Sequence, residues 1–288
     1  MYPIVTIFGR PIGTYALSSV AGILLAGWYA CRAARRRGVD DNEIIVLLLV
    51  SAVGILLGSH ALYALTNLPA LLRYLSESAN LSLGDWFRGL LPYVGGAVFY
   101  GGLLGGLAAG ALYLRIRRLP FAAYADIAAP AIPLFHAFGR IGCFMQGCCF
   151  GRPAQHGGVA FPAGSAPALK YPDFATTKIA ENGQTFICSL SLHPVQLYES
   201  AANLLLCIAL LLLFRKVKKV GQIAASYFIG YGLIRFSLEF LRGDHTDSIL
   251  GMTPAQFIGI FIMIPCGIFF YLYFGKYGED AYAAGKPE

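Results

Sequence analysis

The chain has 288 residues, 57% of them hydrophobic and 13% charged, with a mean hydropathy of +0.62. That is too apolar for an ordinary soluble domain and fits a polytopic membrane protein. The net charge of +7 does not point to nucleic acid, because the basic residues cluster between apolar runs, where membrane orientation requires them.

Seven runs are long enough to cross a hydrocarbon core, which takes about 20 helical residues. They lie near 12–32, 43–65, 93–114, 121–142, 193–214, 222–241 and 254–274. The expected fold is therefore all-α, a single integral membrane domain over 1–288 with about seven transmembrane helices. No cleavable signal peptide is expected, since the first basic cluster follows the first apolar run rather than preceding it.

Arg32, Arg35, Arg36 and Arg37 follow the first run, Arg115, Arg117 and Arg118 the third, and Arg215, Lys216, Lys218 and Lys219 the fifth. These alternate correctly for a cytoplasmic location, which puts the N-terminus outside and the C-terminal tail inside. In the tail Lys276 and Lys286 agree with that orientation, and Glu279, Asp280 and Glu288 offset them. The outer side then receives residues 66–92, the loop 143–192, and a short turn from Leu241 to Ser248. Within 66–92 the apolar stretches Leu68–Leu75 and Leu81–Leu91, with Trp86 and Phe87, suit the membrane interface.

In the third run Tyr100 precedes two glycine series, Gly101 and Gly105, and Gly102, Gly106 and Gly110. Small residues every fourth position let helices approach closely in lipid, so packing is the expected role. The fourth run holds His136 and Arg140 on one helix face. A guanidinium cannot shed its charge and faces a bundle interior or a watery cavity when it lies in a membrane. Then come Gly142, Gly147 and Gly151, which permit tight turns, interleaved with Cys143, Cys148 and Cys149. The fifth run opens with His193-Pro194, a helix start, followed by Gln196 and Glu199, polar groups that lipid would leave unpaired. The sixth carries Tyr231, Arg235, Glu239 and Arg242 on one broad face. Arg235 and Glu239 suit an i,i+4 pair, and the second arginine leaves a positive excess suited to an anionic headgroup or phosphate.

Of the seven cysteines, Cys31, Cys207 and Cys266 read as small apolar residues. Cys143, Cys148, Cys149 and Cys188 fall on the oxidising outer side, where disulfides persist. Four thiols allow two bridges, or a metal site with His136 or His156. The C-x4-C-C spacing is not a standard zinc signature and there is no C-x-x-C, so no metal or cofactor is expected. The cysteines are expected to brace the loop after Arg140, with Cys188 bonded to one of the three, because a Cys148–Cys149 bridge would strain the backbone.

The motifs Tyr100-Gly101-Gly102-Leu103, Ala129-Pro130 with Ile132-Pro133, Gly139-Arg140-Ile141-Gly142, His193 to Glu199 (HPVQLYE) and Tyr231 to Arg242 (YGLIRFSLEFLR) together resemble the prolipoprotein diacylglyceryl transferase family over nearly the whole chain. The sequence departs from the family pattern at Cys143, where Asn is usual, at Cys148, where Glu is usual, and at Tyr100, where His is common, making it a variant with a Gly-Cys-Cys-Phe-Gly motif. The resemblance implies a multi-pass enzyme of the bacterial inner membrane with its active site at the outer leaflet. It implies transfer of a diacylglyceryl group from phosphatidylglycerol to the lipobox cysteine thiol of prolipoprotein signal peptides, as the first step of lipoprotein biosynthesis, with release of glycerol 1-phosphate. Lipid bilayer, phosphatidylglycerol and prolipoprotein are the expected partners. The expected catalytic residues are Arg140, Arg235, Tyr100 and Glu239. The expected substrate contacts are Arg140, Arg235, Arg242, Gly101, Gly102, His136, Gln196, Glu199 and Tyr231. An ordinary phenol, with a pKa of about 10, is a poor base at neutral pH; His136, one turn from Arg140, is the better proton acceptor on physical grounds, although the arginine disfavours its protonation and the family's motif does not require a His there. Alternatives are a family member acting on another acceptor or lipid, and a non-catalytic protein whose arginines hold an anion or lipid.

Overall fold

The computed structural model describes residues 3–78, 81–171, 176–179, 185–188, 191–217, 219–244 and 251–279. Lys218, the tail residues Asp280, Lys286 and Glu288, and the turn from His245 to Ser248 lie outside the described residues. A hairpin of β1 (Ile4–Ile7) and β2 (Arg10–Gly13) leads into helix α1 (Thr14–Arg35). Phe8 and Gly9 both take positive φ, +50° and +74°, the two-residue turn whose twist matches a right-handed hairpin.

Then follow α2 (Asp41–Thr66), α3 (Leu68–Glu77), α4 (Leu83–Val94), α5 (Phe99–Ile116) and α6 (Phe121–Gln146). After α6 come a short α7 (Ala166–Lys170) and the antiparallel pair β3 (Thr176–Ile179) and β4 (Thr185–Cys188). The chain continues with α8 (Val195–Leu213), α9 (Gln222–Glu239) and α10 (Pro254–Tyr277), the last with a π-helical stretch at Ile258–Met263.

Six of these helices, α1, α2, α5, α6, α8 and α10, are long and apolar enough to cross a membrane. The protein is a mostly helical, multi-pass membrane protein. Helix α9 occupies the place of the expected sixth crossing but is not among the six. It includes the charged residues Arg235 and Glu239. On α2, Leu49, Val53, Leu56 and Leu57 are exposed while Gly54 and Ser59 are buried, the inverse of a water-soluble helix and the pattern for a surface facing lipid.

Two compact units are distinguishable, residues 39–121 and residues 1–38 with 122–288. In the first, α2 begins at Asp40, whose side chain accepts from the Asn42 N–H at 2.9 Å, and Asp41 and Glu43 complement the helix dipole. Helices α2 and α5 meet backbone to backbone. A Cβ on Gly105 would lie 2.9 Å from Gly58 Cα, and one on Gly106 2.6 Å from the Ile55 side chain. Gly101 likewise packs against Gly58 and Leu62, and Gly102 against Ile55. The glycine series is thus a helix-packing surface, as its spacing predicts. Helix α4 exposes Leu83, Phe87 and Leu91 on one stripe, an interfacial face, and Tyr74 of α3 donates to Trp86 O at 2.7 Å.

In the second unit α6 is the central element. Gly22 of α1 packs against Phe138, Gly142 of α6 against Tyr15, and the Ser18 hydroxyl donates to Phe138 O. Ser200 of α8 donates to Ala137 O at 2.9 Å. Near the start of α6 the buried Asp126 accepts from the N–H groups of Gly221 and Ala224 at 2.7 and 2.8 Å. It thereby caps α9, whose N-cap is the left-handed Gly221, φ +95°, and satisfies donors the helix start leaves open. At the opposite end, the chain after α6 is laced between the approach to α8 and the segment that follows α9. Gly151 N donates to His193 O, Arg152 N to Leu241 O, His193 N to Arg152 O and Gly243 N to Phe150 O, at 2.8–3.2 Å. Phe150, Phe161 and Leu192 form a small core beneath this lacing.

Gly105→Val is expected to overpack the α2–α5 contact and cost about 1–3 kcal/mol. Gly84→Ala, at a site with open space around the added methyl, is expected to change little. Thermal unfolding of both variants in one detergent distinguishes them, and equal melting temperatures would contradict the close contact.

Candidate active site

At the laced end, three helices bring charge together. Arg140 stands one and a half turns from the end of α6, Gln196 and Glu199 lie in the first turns of α8, and Tyr231, Arg235 and Glu239 line the second half of α9. Arg242 follows α9 and is held by the lacing, its carbonyl accepting from Arg152 Nε at 3.0 Å. The common partner is Glu199, a carboxylate only 4% exposed. Its Oε2 pairs with Arg140 Nε. Its Oε1 accepts from Arg235 Nη1 and Arg242 Nη1, both at 3.1 Å. Arg235 Nη1 is shared with Glu239 Oε2 at 2.9 Å, and Arg242 also grips Asp244 through Nη2 and Nε at 2.6 and 3.0 Å.

Three guanidiniums therefore face three carboxylates. The positive excess expected from the sixth run alone is corrected, because Glu199 arrives from α8 and Asp244 from beyond α9. The three arginines also differ in what they have left to give. Arg242 spends Nε, Nη1 and Nη2 on Asp244 and Glu199 and is 5% exposed. Burial opposes its charge, but the hydrogen bond and charge of Asp244 and the charge of Glu199 outweigh it and raise its pKa above the ordinary arginine value. Arg140 engages Glu199 through Nε and Arg235 engages both glutamates through Nη1, so Nη groups of both have no partner among the described residues. Arg242 thus has all three guanidinium nitrogens engaged by Asp244 and Glu199.

His136 and Tyr231 face each other across α6 and α9, ring centroids 5.4 Å apart, and Tyr231 stacks on Tyr227 at 5.6 Å. Both lie beside the arginines, one helical turn from Arg140 and Arg235 respectively. Gln196, fully buried, donates from Nε2 to Cys148 O at 2.7 Å, and its Oε1 has no partner among the described residues. Tyr100, Gly101 and Gly102 belong to the other compact unit. What the structure shows there is packing of the two glycines on α2 and a half-exposed Tyr100 ring edge-on to Phe99 at 5.6 Å.

The three cysteines after Arg140 are free thiols, so the expected bond from one of them to Cys188 is not formed. Their convergence has a local cause. Helix α6 ends in a left-handed Gly147, φ +77°, with Cys148 N donating to Cys143 O at 3.1 Å and Gly147 N to Phe144 O at 3.2 Å. That is a Schellman ending, in which the residue after the glycine is brought against the residue five before it. Here those two residues are Cys148 and Cys143. Cys149 then also takes positive φ, +57°, uncommon for a residue with a Cβ, and turns back towards them. All three Sγ atoms lie within 4.8 Å of one another.

The profile of the family described as prolipoprotein diacylglyceryl transferase matches residues 3–273. The chain belongs to this family. A protein of Clostridium tetani named phosphatidylglycerol–prolipoprotein diacylglyceryl transferase is 30% identical, covering 91% of this chain and 93% of its own length. One of the same name from Clostridioides difficile is 30% identical over 96% of each chain, and one from Rhodospirillum rubrum 32% identical over 88% and 85%.

Sequence reasoning did not single out Asp244, Ser200 or Asn203. The last two were legible: Gln196, Glu199, Ser200 and Asn203 continue one polar stripe at helical spacing, and Asn203 Nδ2 donates to Glu199 O at 2.8 Å. Removing the Glu199 charge is expected to leave buried guanidiniums uncompensated. Breaking such a pair from one side costs about 3–5 kcal/mol. Glu199→Gln in detergent should therefore unfold at markedly lower temperature than wild type; a loss below about 1 kcal/mol would mean that the cluster is solvated like a surface network.

Proposed function

We propose that the protein is a phosphatidylglycerol–prolipoprotein diacylglyceryl transferase, the chain acting as one membrane enzyme with its site towards the outer leaflet of a bacterial inner membrane. The observation that carries this reading within the site is the pair Arg140 and Arg235, fixed on one carboxylate with Nη groups unspent. A phosphodiester headgroup needs such donors, in planar forks that match phosphate oxygens.

In the proposed reaction the acceptor sulfur attacks the glyceryl carbon that bears the phosphate. The carbon–oxygen bond breaks, a thioether forms, and glycerol 1-phosphate leaves carrying the bond's electron pair. The thiol proton departs separately. Arg140 and Arg235 hold the phosphate and stabilise the charge that grows on it, the kind of interaction that lowers a barrier most. Glu199, Glu239 and Arg242 fix those two arginines, Gln196 ties α8 to the cysteine loop, and Tyr231 and His136 stand one helical turn from them. Relatives that carry this activity in their names, matched along nearly their whole length, support the same reading.

Arg140→Lys and Arg235→Lys keep the charge and lose the fork. Loss of one charge-assisted contact is worth about 1.5–3 kcal/mol, so each variant is expected to transfer diacylglyceryl to a lipobox peptide roughly ten- to a hundredfold more slowly. The assay uses radiolabelled phosphatidylglycerol in membranes with matched expression, alongside complementation of a strain depleted of its own transferase. Near-normal rates in both variants would return the arginines to a structural role.

A further inference from the structure

The three thiols at the end of α6 are gathered more closely than loop bracing requires. Cys143 sits on the last turns of the helix, Cys148 and Cys149 on the turn beyond it, and the convergence relies on two left-handed residues, Gly147 and Cys149, on either side of Cys148. Gln196 clamps the loop from α8 through the Cys148 carbonyl, and Cys143 is buried while Cys148 and Cys149 remain partly open.

Around one tetrahedral ion with metal–sulfur bonds of about 2.3 Å, sulfur atoms stand about 3.8 Å apart. The three Sγ atoms lie within 4.8 Å of one another, so closing on an ion requires shifts of about 1 Å or less. Three thiolates and a divalent ion carry one net negative charge. Arg140, about one helical turn before Cys143, brings a fixed positive charge to the same end of α6. A bridge between adjacent Cys148 and Cys149 would strain the backbone, and any single disulfide would leave the third thiol without a function in this arrangement.

We propose that Cys143, Cys148 and Cys149 are three ligands of a thiophilic divalent metal ion such as zinc, and that its open fourth position takes the acceptor cysteine as a thiolate. The second half rests on the transferase reading above. A site with three protein ligands and one open position is the catalytic form of such centres, and a coordinating thiol is deprotonated outright. The acceptor thiol would give its proton to solvent on binding and its sulfur electron pair to the glyceryl carbon, as phosphate leaves towards Arg140 and Arg235. The half-open Cys148 and Cys149 mark the side from which a peptide thiol reaches the ion.

The test uses the full-length protein, purified in detergent with a non-thiol reductant, and cadmium as the optical probe. One cadmium per chain is expected, with sulfur-to-metal charge-transfer absorption of three thiolates. Cys143→Ser, Cys148→Ser and Cys149→Ser are each expected to weaken binding by more than about a hundredfold, since even loss of a ligand's supporting contact costs ten- to a hundredfold. Cys266→Ala is expected to bind as wild type, and size-exclusion chromatography checks that every variant remains folded. A lipobox peptide should raise the absorption to that of four thiolates, and its Cys→Ser form should not. Absence of the band, its survival in all three serine variants, or recovery of a disulfide among the three from untreated membranes would overturn the metal site. A band indifferent to the peptide would overturn the acceptor's place on the metal. A responsive band in a protein that transfers no lipid would uphold the site and defeat the transferase reading.

Discussion

The Glu199 carboxylate is the constraint on which this end of the molecule depends. It is nearly sequestered from solvent and holds guanidiniums from α6, α9 and the segment after α9. Withdrawing these charges from water is costly, and only close pairing and complete hydrogen bonding offset it. The surrounding backbone reflects that demand. Residues 150–154, 191–193 and 241–243 are cross-linked by main-chain hydrogen bonds, which fix where Arg242 and Asp244 stand. Asp126, at the other end of α6, sets the start of α9 through two N–H groups and so fixes the height at which Arg235 meets Glu199.

The crossings were legible because lipid selects for long apolar runs, and those runs end at Gly, Pro and basic residues that the helices also end on. The glycine series was legible for the same reason, since small residues four apart serve close backbone approach in lipid. Less was legible where partners come from distant sequence. The sixth run read alone shows two arginines and one glutamate, and the balance of the cluster appears only when Arg140, Glu199 and Asp244 are counted with it. The β1–β2 hairpin was missed because four-residue strands carry too little alternation to register beside a 22-residue helix. The cysteines were noticed in the sequence, but the convergence of their three Sγ atoms was not legible, because its cause is a Schellman helix ending.

The two ends of the second compact unit also differ in kind. Arg37, after α1, lies against the Phe214 ring, 3.2 Å from its centroid, and donates to Phe214 O, a cation resting on the last turn of α8. There a positive charge stabilises a helix C-terminus and asks nothing of a ligand. At the Glu199 end, the cations are balanced by carboxylates yet keep donors in hand.

Neutrality is itself suited to the proposed chemistry. An uncompensated pair of arginines would be expensive to keep buried while the site is empty, and would bind a phosphodiester and the departing phosphate alike. A balanced cluster is stable when empty and responds to change. A diester headgroup carries one negative charge, whereas the leaving monoester approaches two near neutral pH, its second pKa being about 6. In the proposed reaction the Nη groups of Arg140 and Arg235 would consequently gain most as the carbon–oxygen bond breaks, so that their contribution would fall on the transition state rather than on the bound lipid. Glu199 limits how far either arginine can follow the phosphate out, and that restraint favours release of the product once the thioether has formed.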